Sequence, residues 1–141
     1  MNSISDLAYL LYSNSRLLIQ KIQVSLDEVG LTYTQYLTLA VLWEQDGQYV
    51  NQIGKKLELD SGTLTPLLKK LEAQNYLRRI RSEEDERKVK VELTYPGKTL
   101  QGKVEELLKV FSEEIELISD PQLEKLNSSL SGMLSKLKSL D

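Results

Sequence analysis

The sequence predicts a mainly α fold with one small β-hairpin: a winged helix-turn-helix whose flanking N- and C-terminal helices form a dimerisation region. Three observations predict it. Apolar residues recur at helical spacing along most of the chain, and the period drops from 3.6 to two only between residues 76 and 93. The helical stretch just before that change carries a polar, partly cationic face.

The first stretch runs from about Ile4 to Val29, where Leu7, Leu10, Leu11, Leu18, Ile22 and Leu26 form a stripe and Gly30 supplies a C-terminal cap. A stripe on a terminal helix needs a cover. Packing within one monomer would supply it, but the expectation is a homodimer interface built with the C-terminal helices. Leu31 to Trp43 reads as a second, mostly buried helix, capped at Thr32 or Thr34, with Tyr33, Tyr36, Leu37, Leu39, Ala40 and Leu42 on its apolar side. Glu44 to Gln48 breaks it.

A short helix from about Asn51 to Leu57, the turn Glu58-Leu59-Asp60 and a helix over 61–73 together read as a helix-turn-helix. Asp60 or Ser61 serves as N-cap of the last. Its leucines at 64, 67, 68 and 71 follow the i, i+3, i+4, i+7 pattern of a core-facing stripe, while Ser61, Thr63, Thr65, Lys69 and Lys70 fall on the other side. Small hydroxyls at the helix start and cations further along suit base edges and phosphates, so this segment, Gly62 and Pro66 included, is the candidate DNA-recognition helix. Pro66 removes one helix hydrogen bond near the start, where the helix tolerates it.

Tyr76 to Arg81 and Lys88 to Leu93 are strand candidates, and in the second Val89, Val91 and Leu93 share one side. Ser82 to Arg87 forms the polar hairpin tip. A hairpin directly after a helix-turn-helix is a wing, and Arg87 is the cation expected in the adjacent minor groove, oriented by Asp85. The competing reading of the tip is a solvated turn whose carboxylates keep it soluble. Thr94 then caps a helix from about Tyr95 to Ile118, and Asp120-Pro121 starts a last helix through Leu140.

Charge is distributed unevenly. The net charge is −3, yet from Ser61 to Ser82 the five cations Lys69, Lys70, Arg78, Arg79 and Arg81 face the single anion Glu72. The three arginines are expected on phosphates together with the lysines. From Lys98 to Glu124 three cations face seven anions, so a basic middle sits on an acidic frame.

With 141 residues, 40% of them hydrophobic and 28% charged, the chain fits one domain over 1–141. Within it, 31–94 is the winged helix-turn-helix and 1–30 and 95–141 are the helical dimerisation region. The chain has no Cys and no His, which removes disulfides, Cys/His zinc sites and Ser-His or Cys-His catalysis. Glu83, Glu84, Asp85 and Glu86 form a hairpin charge run rather than a placed carboxylate pair, and no glycine-rich phosphate loop is present. No enzyme, metal or cofactor is expected. No apolar run approaches the ~20 residues of a membrane span, and the N-terminus lacks a secretory signal, so the expected location is the cytoplasm, with no membrane partner.

This order of elements resembles the MarR family of dimeric transcriptional regulators over nearly the whole chain. The segments 59–72 (LDSGTLTPLLKKLE) and 81–87 (RSEEDER) look like the recognition helix and wing of its organic-hydroperoxide-resistance repressor branch. Residues 31–37 (LTYTQYL) and 10–16 (LLYSNSR) look like that branch's N-terminal segments. The resemblance implies a homodimeric repressor on a pseudo-palindromic double-stranded DNA operator, with Asp85 and Arg87 at the family's Asp-x-Arg wing positions. It also implies a sensor site where the branch carries a reactive Cys; here Ala8 stands there, with Tyr12 and Tyr33 at two of the associated tyrosine positions and Ile22 at a third. Alanine has no sulfur to oxidise, so the chain as written is not a thiol-based peroxide sensor. It is either a natural member with a lost or changed signal or an engineered Cys-to-Ala form. A small-molecule inducer near Tyr12 and Tyr33 is one expectation, and packing residues of a rigid dimer the other. A winged-helix protein–protein interaction module is the alternative function.

Overall fold

The computed structural model describes residues 3–140. Helix α1, Ser3–Leu26, tightens into a 3-10 turn over Asp27–Val29 and stops at Gly30, whose φ of 70° is left-handed. The regular α-helix is thus three residues shorter than the apolar spacing suggested, because Leu31 N–H bonds back to the Leu26 carbonyl and closes the helix end. Helix α2, Tyr33–Glu44, begins on a reciprocal cap: Thr32 Oγ1 accepts from Gln35 N–H at 3.2 Å, and Gln35 Oε1 accepts from Thr32 N–H at 3.0 Å. Thr32 is therefore the cap, and Thr34 lies within the helix.

A two-residue strand β1, Gln48–Tyr49, leads into α3, Val50–Leu57, and α4, Ser61–Ala73. The hairpin strands are β2, Leu77–Arg81, and β3, Val89–Leu93. All pairings are antiparallel in the order β1-β3-β2, with Gln48 opposite Val91 and Arg79 opposite Val91 on the other side. The strand β1 has no counterpart in the sequence reading, since two residues are too few to show a period of two.

Helix α5 runs Tyr95–Ile115, three residues short of the expected end, and α6 runs Asp120–Lys138. Thr94 Oγ1 accepts from Gly97 N–H at 3.1 Å, which makes it the expected cap of α5, whereas α6 is capped by Ser119 through Gln122. The indole N–H of Trp43 on α2 donates to the Gly97 carbonyl at 2.9 Å and ties α2 to the first turn of α5.

The chain forms two compact units, one ending at Leu108 and the other beginning at Lys109, inside α5. The core lies in the first. Leu42 from α2, Ile53 from α3, Leu64 and Leu68 from α4, and Val91 from β3 have no exposed surface, and Leu77 from β2 has 1%. Full burial of each leucine is worth roughly 1.5–3 kcal/mol, so α4 is held chiefly by its own stripe. Along α1 the burial is confined to Leu26, and Leu7, Leu10, Leu17 and Leu18 are exposed. In the second unit α6 has no buried residue, and Leu123, Leu126, Leu134 and Leu137 are exposed. Among the described residues no helix is long and apolar enough to cross a membrane.

The turn between α3 and α4 rests on a close backbone approach. A Cβ placed on Gly54 would lie 2.6 Å from the Leu59 carbonyl oxygen, which itself belongs to the lead-in to α4. Glu58 has a left-handed φ of 59°, and Leu59 N–H bonds back to the Gly54 carbonyl at 2.9 Å, which folds the turn tightly under α3. Because the clashing atom is backbone, Gly54→Ala is expected to cost about 1–3 kcal/mol, read as a lower denaturation midpoint at unchanged slope.

Candidate nucleic-acid interface

Asp60 sets the start of α4: its backbone is extended (φ −75°, ψ 166°) and its Oδ1 accepts from Thr63 N–H at 2.8 Å. With Leu64, Leu68 and Leu71 buried, the helix has no rotational freedom, and the opposite side must face solvent. Ser61, Gly62, Thr63, Pro66, Lys69 and Lys70 are exposed there, and Thr65 is half-buried. Pro66 sits within the helix and does not end it.

The three arginines of β2 divide. Arg78 and Arg81 are exposed, and Arg81 Nη1 also donates to the Glu86 carbonyl at 3.2 Å. Arg79 is half-buried and taken up by Glu72 on α4: its Nε and Nη2 donate to Oε1 at 3.1 and 2.9 Å, and its backbone N–H donates to Oε2 at 2.8 Å. The Arg79 backbone bond, followed by its side-chain bonds, holds the Glu72 carboxyl below the usual carboxylate range against a smaller desolvation effect. The sequence grouped Arg79 with the phosphate contacts. The structure gives it a second task, welding the last turn of α4 to the strand that starts the wing. The single anion in the basic segment was the available signal.

At the wing tip the carboxylate of Asp85 organises the turn. Its Oδ1 accepts from Arg87 N–H at 3.0 Å and from Arg87 Nε at 3.2 Å, while Ser82 Oγ accepts from the N–H groups of Glu84 and Asp85. These bonds, the Arg87 backbone N–H first, lower the Asp85 pKa. Arg87 is 92% exposed although its Nε is anchored, so the guanidinium is aimed rather than buried.

Between α3, the start of α4 and the base of the wing lies a cleft of about 450 Å³. Ser61 and Arg87 both border it, which makes the start of α4 and the wing neighbours across one space. Asn51 and Lys88 line it too, and neither was singled out in the sequence, where each reads as an ordinary polar surface residue.

Ala8 and Tyr12 lie on α1 and Tyr33 at the start of α2. Ala8 and Tyr12 are exposed on α1, four residues apart, with the Arg16 guanidinium 5.8 Å from the Tyr12 ring centroid. Tyr33 starts α2; its N–H donates to Gln23 Oε1, and its ring packs 6.0 Å from Tyr36. Burial raises the pKa of its hydroxyl. Eleven residues of α1 separate Tyr12 from Gln23, roughly 16 Å at the helical rise.

A helix-turn-helix with a buried leucine stripe, a polar outer face and a three-stranded wing defines a winged-helix regulator. The chain belongs to the family described as transcriptional regulator SarA/Rot, whose model matches residues 20–107. It is 46% identical over 99 residues to the organic hydroperoxide resistance transcriptional regulator of Bacillus subtilis, covering 70% of this chain and 67% of that protein. It is similar to the structure of reduced AbfR bound to DNA, a Staphylococcus epidermidis protein, at 34% identity and TM-score 0.79 over 95% of this chain and 92% of that one. It shares its fold with a MarR transcriptional regulator from Methanosarcina mazei, at 22% identity and TM-score 0.85 over 97% and 99% of the two chains. The winged helix-turn-helix and the MarR-type resemblance expected from the residues are thus met by the fold and its relatives.

The Glu72–Arg79 pair carries a pH signature. Since the folded pKa lies below the ordinary 4.5, its contribution is complete above 4.5 and is lost as pH falls through the folded value. Both side chains are about a third exposed, so screening keeps the contribution below about 1 kcal/mol. In unfolding titrations from about pH 5 down to about pH 3, Glu72→Gln is expected to lose less stability than the parent. Parallel curves would remove the pair from the account.

Proposed function

We propose that the chain is a homodimeric DNA-binding repressor that sets two copies of α4 in successive major grooves of a pseudo-palindromic operator and two wings in the flanking minor grooves. The observation that carries this reading is the shared border of Ser61 and Arg87: a hydroxyl-bearing helix start and an anchored, outward guanidinium face one space. Ser61, Gly62, Thr63, Thr65 and Pro66 form the base-facing end, while Lys69, Lys70, Arg78 and Arg81 neutralise phosphates, with Arg79 bracing the wing from beneath. The exposed leucines of α1 and α6 support a second copy as their cover, and the DNA-bound AbfR structure supports DNA as the partner. In this reading the protein performs no catalysis and acts in the cytoplasm.

The name of the Bacillus subtilis relative ties that protein to organic hydroperoxide resistance. This chain has no cysteine, so no thiol step carries such a signal here, and at position 8 it offers only a methyl group.

Genomic DNA pull-down with footprinting is expected to give paired protected half-sites about one helical turn apart. DNA affinity that is absent, or indifferent to salt, would instead make the winged helix a protein-docking module. Arg87→Ala is expected to weaken operator binding about tenfold or more, roughly 1.4 kcal/mol, with the dimer intact by sedimentation. Binding equal to the parent in a mobility-shift titration would overturn the wing assignment.

A further inference from the structure

A duplex that takes α4 into its major groove and Arg87 into the adjoining minor groove has one sugar–phosphate strand between those grooves. That strand must cross between helix and wing, where the cleft of about 450 Å³ lies. Resting on the DNA-binding reading above, we propose that the cleft seats one phosphate and its deoxyribose from this strand, with Lys88, Asn51 and Ser61 as the contacting groups.

The lining matches both halves of such a unit. Val50, Leu59, Leu64 and Val89 supply an apolar floor suited to the C–H face of a deoxyribose. The same lining includes Asn51, Ser61 and Lys88, whose amide, hydroxyl and ammonium are groups that serve a phosphate by hydrogen bond and charge. Asn51 lies in the first turn of α3 and Ser61 in the first turn of α4. The positive ends of two helices, with N–H groups that have no acceptor inside the helix, therefore border the same space. The Lys88 Nζ lies 5.9 Å from the Tyr49 ring centroid. Asp60, the carboxylate at the start of α4, is turned onto Thr63 N–H and does not line the cleft. Gly54 also lines the cleft, where the backbone of α3 comes close to that of Leu59.

A seat for backbone differs from a base reader in what it ignores. The test uses Lys88→Ala, an exposed position, with its unfolding curve checked against the parent, on the footprinted operator and on an unrelated duplex of equal length. Affinity is expected to fall about three- to tenfold on both duplexes, and the slope of log affinity against log salt to decrease by about one. Methylphosphonates are then placed singly along the operator. At one position the neutral linkage is expected to cost the parent the same factor and to cost Lys88→Ala nothing.

A loss confined to the operator, an unchanged salt slope, or a full methylphosphonate effect in Lys88→Ala at every position would overturn the seat. At constant ionic strength, inorganic phosphate is expected to displace DNA from the parent more readily than from Lys88→Ala, and equal displacement from both would overturn the seat. A parent that binds neither duplex refutes the regulator reading first and the seat with it, so the two failures are told apart.

Discussion

The burial of one leucine stripe governs the arrangement. Leu64, Leu68 and Leu71 have no exposed surface, so α4 has a single allowed rotation about its axis. Its two ends are then fixed by carboxylates on different duties. Asp60 satisfies a first-turn N–H group, and Glu72 reaches across the turn to the backbone and guanidinium of Arg79. The hydrophobic core thus decides which side chains face outward, and hydrogen bonds at the helix ends decide how the wing follows. Neither alone would relate Ser61 to Arg87.

The wing shows the same economy on a smaller scale. A six-residue tip rich in carboxylates would be expected to wander, yet Ser82 and Asp85 use side-chain oxygens to accept from the tip's own N–H groups. The acidic run is therefore only partly a solubilising surface. Asp85 spends its charge on shaping the turn, while Arg87 keeps its charge exposed.

Much of this was legible in the residues because period and capping are local signals. The helical spacing of Leu64 to Leu71, the alternation of Val89, Val91 and Leu93, and the Thr94 cap each lie within a few residues, and each structure formed as read. What escaped was long-range. The strand β1 exists only because Gln48 and Tyr49 find β3 more than forty residues later. The Arg79 pairing depends on a turn at Asn75, whose positive φ no leucine pattern announces. Asn51 and Lys88 acquire meaning only when α3 and the wing base meet across a cleft.

The joint between α2 and α5 has a practical side. Trp43 is the sole tryptophan of the sequence, and its indole N–H is hydrogen-bonded to the Gly97 carbonyl with Tyr36 6.3 Å away, centroid to centroid. Any event that loosens the first turn of α5 from the end of α2 must break or remake that bond. The native chain therefore contains its own optical probe: its emission reports this joint without a label, with no second indole in the sequence to obscure it.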